Sequence, residues 1–237
     1  MPLDFKIINK IVDVDDSFKM PSVLMEKLFD KEKREEMFKE FLKYETDLSF
    51  DWFHIYFQEE YAERKTKKQD FTPESLTTLL SALTQTKKTG FGTSLDVAAG
   101  TGGLTIKKWH EDRTRCPISA YKPSNYYYQC EELSDRALPF LLFNLLIRGM
   151  NAVVVHGDVL SREVKQIYFI QNDLDDYMTF SSLNIMPHSK IVEKEFDVKK
   201  WIEEPIEHIE SSKSVAERYL QVYGSGEDAT CKICELA

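Results

Sequence analysis

Cysteine is scarce in this chain, with four among 237 residues, at positions 116, 130, 231 and 234. That is too few, and too unevenly spread, for a secreted disulfide scaffold, and a reducing cytoplasm is the expected compartment. Cys231 and Cys234 form a C-x-x-C pair, but a zinc site needs two more ligands and there is no second pair, so no metal is expected. Long apolar runs are also missing, which excludes a membrane-spanning helix. The opening "MPLDFKIINK" carries charge among its first apolar residues and does not read as a signal peptide. Net positive charge is absent: the formal charge is -9, and residues 161–237 hold 15 Asp and Glu against 9 Lys and Arg. A nucleic-acid grip normally requires the opposite sign. The one basic cluster, Arg64, Lys65, Lys67 and Lys68, suits a solvated helix end better than a phosphate clamp. No internal repeat or low-complexity tract occurs, and no two of the eight prolines are adjacent.

What is present is enough apolar material for one sizeable core, at 42% hydrophobic and 12% aromatic residues. Residues 17–66 contain no glycine and carry helical spacings such as Met37, Phe38, Phe41 and Leu42, which predict an N-terminal helical region over residues 1–68. The segment "DFTPESLTTLLSALTQ" predicts a helix with Thr72 as N-cap, Pro73 at its first position and a stripe of Leu76, Leu79, Leu80 and Leu83. Beyond it, over residues 69–237, short apolar runs alternate with helices. The runs are "TSLDV", "NYYYQC", "NAVVVH" and "QIYFIQ"; a helix from 134 to about 148 separates the second from the third, and Gly149 stands where a left-handed C-cap belongs. This alternation predicts a mostly parallel α/β sheet with crossovers. Further on, "KIVEKEFDV" reads as a strand and residues 205 to about 220 as a helix.

Only nine glycines occur, yet three of them fall within four positions of "DVAAGTGGL", directly after a strand. In an open parallel sheet, ligands collect at the carboxyl ends of strands, and glycine there lets backbone approach a ligand. Asp96, Gly100 and Gly102 do not follow the spacing of a dinucleotide site, and a turn that merely packs is the competing reading. The second strand ends in Glu131 and Glu132, where a carboxylate can accept both hydroxyls of a ribose. The third ends in "HGD", where Asp158 can accept from an adenine amino group. A bare loop and two acids describe an adenosyl ligand without phosphates.

The loop "DVAAGTGGL" resembles the S-adenosylmethionine motif of adenine-N6 DNA methyltransferases, in particular the modification subunit of type I restriction systems. Upstream, "QDFTPESLTTLL" is similar to that family's Gln-Phe-Phe-Thr-Pro segment; downstream, "EELSDRALPFLLFNLLIRGM" and "HGD" are similar to its Glu-x-Asn helix and Gly-Asp turn. The resemblance covers roughly residues 51–160. It implies a Rossmann-like methyltransferase fold with S-adenosylmethionine as cofactor. Phe71, Thr72 and Pro73 would line its methionine side and Asp96, Ala98, Gly100 and Gly102 would form the loop. Glu132, favoured over Glu131 by its distance from Asn144, would take the ribose, and Asp158 the adenine.

The family's Asn-Pro-Pro-aromatic motif is not intact. Transfer to an exocyclic amine needs acceptors for its hydrogens and a ring to stack on the flipped base. The fourth strand ends instead in "QNDLDDY", where Asn172 and Asp173 are the catalytic candidates and, on the alternative reading, mere strand caps. The resemblance therefore implies either a DNA methyltransferase with impaired catalysis that reaches DNA through a partner recognition subunit, or a non-catalytic protein acting through protein contacts, such as a decoy for restriction-modification subunits.

Overall fold

The computed structural model describes residues 3–60 and 92–212. Phe71, Thr72 and Pro73, the predicted helix after them, the basic cluster at residues 64–68, the boundary between 68 and 69, and Cys231 with Cys234 lie outside the described residues.

The chain opens with helices α1 (Phe5–Val12), α2 (Met20–Phe29), α3 (Lys31–Phe41) and α4 (His54–Glu60). Their starts follow from local chemistry: Asp4 caps α1 by accepting from Ile7 N at 2.8 Å, and Asp30 caps α3 by accepting from Lys33 N at 3.2 Å. A six-stranded sheet follows, with β1 (Gly92–Val97), β2 (Tyr126–Glu132), β3 (Ala152–Gly157), β4 (Glu163–Gln171), β5 (Ser182–Ile185) and β6 (Lys200–Trp201). Between them lie α5 (Gly103–Thr114), α6 (Leu138–Ile147) and α7 (Lys190–Glu195). Every residue of α6 is buried, because the helix is covered by the sheet on one side and the N-terminal helices on the other. Phe38, Phe41 and Phe53 meet Phe143 of α6 edge-on, with ring centroids 4.8 to 4.9 Å apart. One apolar cluster thus runs from Ile8 to Ile185 and joins the N-terminal helices to the sheet.

The strand order is β1-β2-β3-β4-β5, with β6 beside the start of β4. The first three strands are parallel, as the alternation of strand and helix predicts. The sheet is mostly parallel, since β6 also runs parallel to β4, but β4 runs antiparallel to β3, and β5 antiparallel to β4. The physical reason is the length of the link. Residues 158–162 are a hairpin turn, whereas a parallel return needs a crossover of about a dozen residues or more. Asp158 shapes that turn: its carboxylate accepts from Leu160 N and its carbonyl from Arg162 N, both at 2.8 Å.

Two further expectations are corrected. Residues 190–195 of the supposed strand "KIVEKEFDV" form α7, because Ser189 caps it through Val192 N and Val192 and Phe196 bury one side, four residues apart. Of the supposed helix from 205 to about 220, residues 205–212 are not helical and residues 213–220 lie outside the described residues. Ile185 N donates to His208 O at 2.8 Å, Ile209 bridges to Asn184, and Arg34 of α3 grips Glu210 with both terminal nitrogens, at 2.8 and 2.6 Å.

Candidate functional site

β1 leads into a turn with three left-handed residues. After Val97 the backbone reaches positive φ at Ala98 (61°), Gly100 (59°) and Gly102 (96°). Gly102 is the N-cap of α5, and a Cβ there would come within 2.9 Å of Leu141 Cδ1. The turn is tied to β2 by Ala99 N donating to Glu131 O at 3.0 Å. Asp96, at the end of β1, accepts from Thr105 Oγ1 of α5 at 2.7 Å, which fixes the helix to the strand. Burial raises the Asp96 carboxyl above its usual range, with the Thr105 hydroxyl opposing.

Of the two adjacent acids ending β2, Glu132 reaches the glycine turn. Its carboxylate accepts from Gly100 N at 2.6 Å and from Ser134 N at 2.7 Å. Burial pushes its pKa up, those backbone N–H groups pull it down, and the net direction is upward. Glu131 is engaged elsewhere, paired with Arg162 at 2.8 Å. His156, paired in register with Glu132, is the last residue but one of β3; its ring lies 3.1 Å from Asp135, which also pairs with Lys165. Asp158 lies just beyond, at the same end of the sheet, with one carboxylate oxygen already accepting from Leu160 N.

Asn172 and Asp173 are not brought to this end. Because β4 is antiparallel, Ile170 pairs with Ala152 and Gln166 with His156, so Asn172 stands beside the start of β3. Six residues of strand separate it from the level of Gln166, roughly 20 Å at the usual rise. Its side chain is fully committed: Nδ2 donates to Gly149 O at 3.0 Å and Asp176 O at 2.9 Å, and Oδ1 accepts from Asp176 N and the Thr179 hydroxyl. Asp173 accepts from Ser182 and Ser211, both at 2.7 Å. These are loop-holding contacts. Gly149, read as a left-handed C-cap, has φ 63°.

Asp51, Thr101, Asn144 and Arg148 were not singled out by sequence reasoning, except that Asn144 served as a landmark. They form one hydrogen-bonded group at the glycine turn, in which Thr101, Asn144 and Arg148 are buried and Asp51 is half-buried.

Three parallel strands, a glycine turn leading into a helix, and acids where those strands end define a Rossmann-like domain of the methyltransferase type. The N-6 DNA methylase family model matches residues 49–208, more than half of the chain, and the protein belongs to that family. No match was found among curated proteins or among solved structures. Family members generally use S-adenosylmethionine.

Proposed function

We propose that this DNA methylase-family chain binds S-adenosylmethionine at the carboxyl ends of β1 to β3, and that by itself it does not methylate DNA. The observation that carries the first half is the Glu132 carboxylate lying 2.6 Å from Gly100 N, inside a turn of left-handed residues. A carboxylate has about four acceptor positions, so Glu132 keeps capacity for ribose hydroxyls beside its two backbone donors. The donor set fits the ligand. Asp96, Glu132 and Asp158 make this end acidic, which opposes a phosphate and favours hydroxyl, amine and cationic groups. Gly102 is bare on its core side, where an added Cβ would stand 2.9 Å from Leu141, which lets α5 start tight against α6 directly after the turn. In this reading Ala98, Gly100 and Gly102 carry the backbone contacts, Glu132 the sugar and Asp158 the base; Phe71, Thr72 and Pro73 would line the methionine side. The cofactor, when bound, supplies the activated methyl group.

The second half rests on the distance of Asn172 from the turn, since reacting groups must approach to about 3 to 3.5 Å. Asn172 and Asp173, the acceptor pair that the family resemblance implies for an exocyclic amine, hold loops at the far end of the sheet. The acidic charge likewise disfavours direct duplex binding. DNA would be reached through a partner recognition subunit in a restriction-modification setting. The same observation supports the alternative, a non-catalytic protein that competes for such subunits. Calorimetry with S-adenosylmethionine on wild type and Gly100→Leu tests the binding. Transfer of labelled methyl groups to mixed genomic DNA, by the chain alone and with candidate recognition subunits, tests the rest. Equal affinity of the two proteins, or robust labelling by the chain alone that is lost in Asn172→Ala, would overturn the respective half.

A further inference from the structure

Thr101 stands between two left-handed glycines, Gly100 at φ 59° and Gly102 at φ 96°, yet is only 2% exposed. Flanking glycines widen the choice of backbone conformations, so holding one of them requires something outside the turn. Thr101 is held from two sides. Its hydroxyl donates to Asp51, and its carbonyl accepts from Asn144 Nδ2 at 2.8 Å. The same Nδ2 donates to Asp51 Oδ1 at 2.8 Å, and Phe53 N donates to that oxygen at 2.9 Å.

Arg148, one helical turn beyond Asn144, sets both partners. Its Nη1 donates to Asn144 Oδ1 at 2.9 Å, which leaves the amide only one orientation, NH₂ toward Asp51 and Thr101. Its Nε and Nη2 donate to Leu48 O at 2.9 Å and Phe50 O at 2.6 Å, fixing the segment that carries Asp51. The guanidinium also lies over the rings of Trp52 and Trp109, 5.8 and 6.0 Å from their centroids. Burial lowers its pKa to about 9, Asp51 and Asp47 opposing, and it remains charged at neutral pH.

We propose that half-buried Asp51, with buried Asn144 and Arg148, forms a clasp through which residues 47–53 preorganise the glycine turn for its ligand, with Asp51 as a positioning residue. This deepens the cofactor reading and rests on it for the ligand; the clasp itself is testable without any ligand. Thr101→Val removes one hydroxyl at nearly constant volume, and Thr101→Ser restores it. Asp51→Ala removes the hub.

Two readouts are taken: amide exchange by mass spectrometry in peptides covering residues 98–104, without ligand, and calorimetric affinity for S-adenosylmethionine. In Thr101→Val and Asp51→Ala, exchange in the turn rises about tenfold while β2 and β3 keep wild-type protection, and affinity falls about tenfold, the scale of one lost buried hydrogen bond. Thr101→Ser recovers both. Unchanged exchange in the turn of Thr101→Val overturns the clasp, as does exchange that rises equally throughout the sheet. If wild type does not bind the cofactor, the cofactor reading falls, and the exchange measurement alone still decides the clasp. Should Asp51→Ala fail to fold, the Thr101→Val and Thr101→Ser pair carries the test.

Discussion

Adding one methyl group at position 102 and one at position 103 should have opposite consequences. Gly102 has φ 96°, and its added Cβ would stand 2.9 Å from Leu141 Cδ1. An L-residue held in the left-handed region costs about 1 to 2 kcal/mol. Displacing Leu141, fully buried in α6, adds about 1 to 3 kcal/mol as for other overpacked sites. Gly102→Ala should therefore lose roughly 2 to 5 kcal/mol, a fall in Tm of roughly 4 to 20 °C for a chain of this size. At Gly103 nothing among the described residues lies within 4 Å of the added Cβ, and the residue opens α5. Gly103→Ala should be neutral or stabilising by up to about 1 kcal/mol, since alanine is the better helix former. Urea denaturation of both variants, with the denaturant slope checked against wild type, measures the contrast. Equal stability of Gly102→Ala and Gly103→Ala would refute the account of the turn as conformationally demanding at 102 and open at 103.

Asn172→Ala should lower stability by about 2 to 3 kcal/mol through its lost buried hydrogen bonds, while leaving cofactor affinity at wild-type strength in calorimetry. Glu210→Ala leaves Arg34, fully buried, without its carboxylate and should cost about 3 to 5 kcal/mol in urea melts. Burial would raise the Glu210 carboxyl, but the Arg34 hydrogen bonds and charge outweigh it and the net shift is downward. Its stabilisation is therefore present above the ordinary glutamate range and is lost on acidification through the folded pKa, so the gap between wild type and Glu210→Ala should close as pH falls below about 4.5. Glu132 behaves oppositely: with a raised folded pKa its contribution is fully present below the ordinary value and is lost as pH rises through the folded one. The Tm of Glu132→Gln should consequently improve relative to wild type between pH 4 and pH 7, and a constant difference would contradict it.

The parts legible in the sequence were those whose signals are local. Runs of apolar residues gave β1 to β4, Gly149 marked the end of α6, and the glycines marked the turn after Asp96. What local reading lost was direction and partnership. The direction of β4 was written in the shortness of residues 158–162, a signal of loop length that the expectation of a parallel sheet overrode. For α7 the sign was Ser189 as a cap, hidden because Ile191, Val192 and Phe196 also suit a strand. The clasp left no periodic trace: Asp51 and Thr101 are 50 residues apart, and Asn144 lies 93 residues from Asp51. A single hydrogen bond between distant segments alters no pattern that composition or spacing can register.

The antiparallel β4 also separates two properties that the family resemblance joins. The proposed ligand contacts depend on where β1, β2 and β3 end, and the structure there is a left-handed turn, Glu132 against Gly100, and Asp158 beyond β3. The residues expected to act on a substrate amine follow β4, and reversing that strand carries them to the other end, where Asn172 closes the loop between Gly149 and Thr179. Reorienting the Asn172 amide would break its bonds to Gly149, Asp176 and Thr179 together, so a small motion cannot return it to the turn. On the proposed function, cofactor affinity should accordingly respond to mutation of Gly100, Glu132 and the clasp and be indifferent to mutation of Asn172, which calorimetry on the two sets of variants measures.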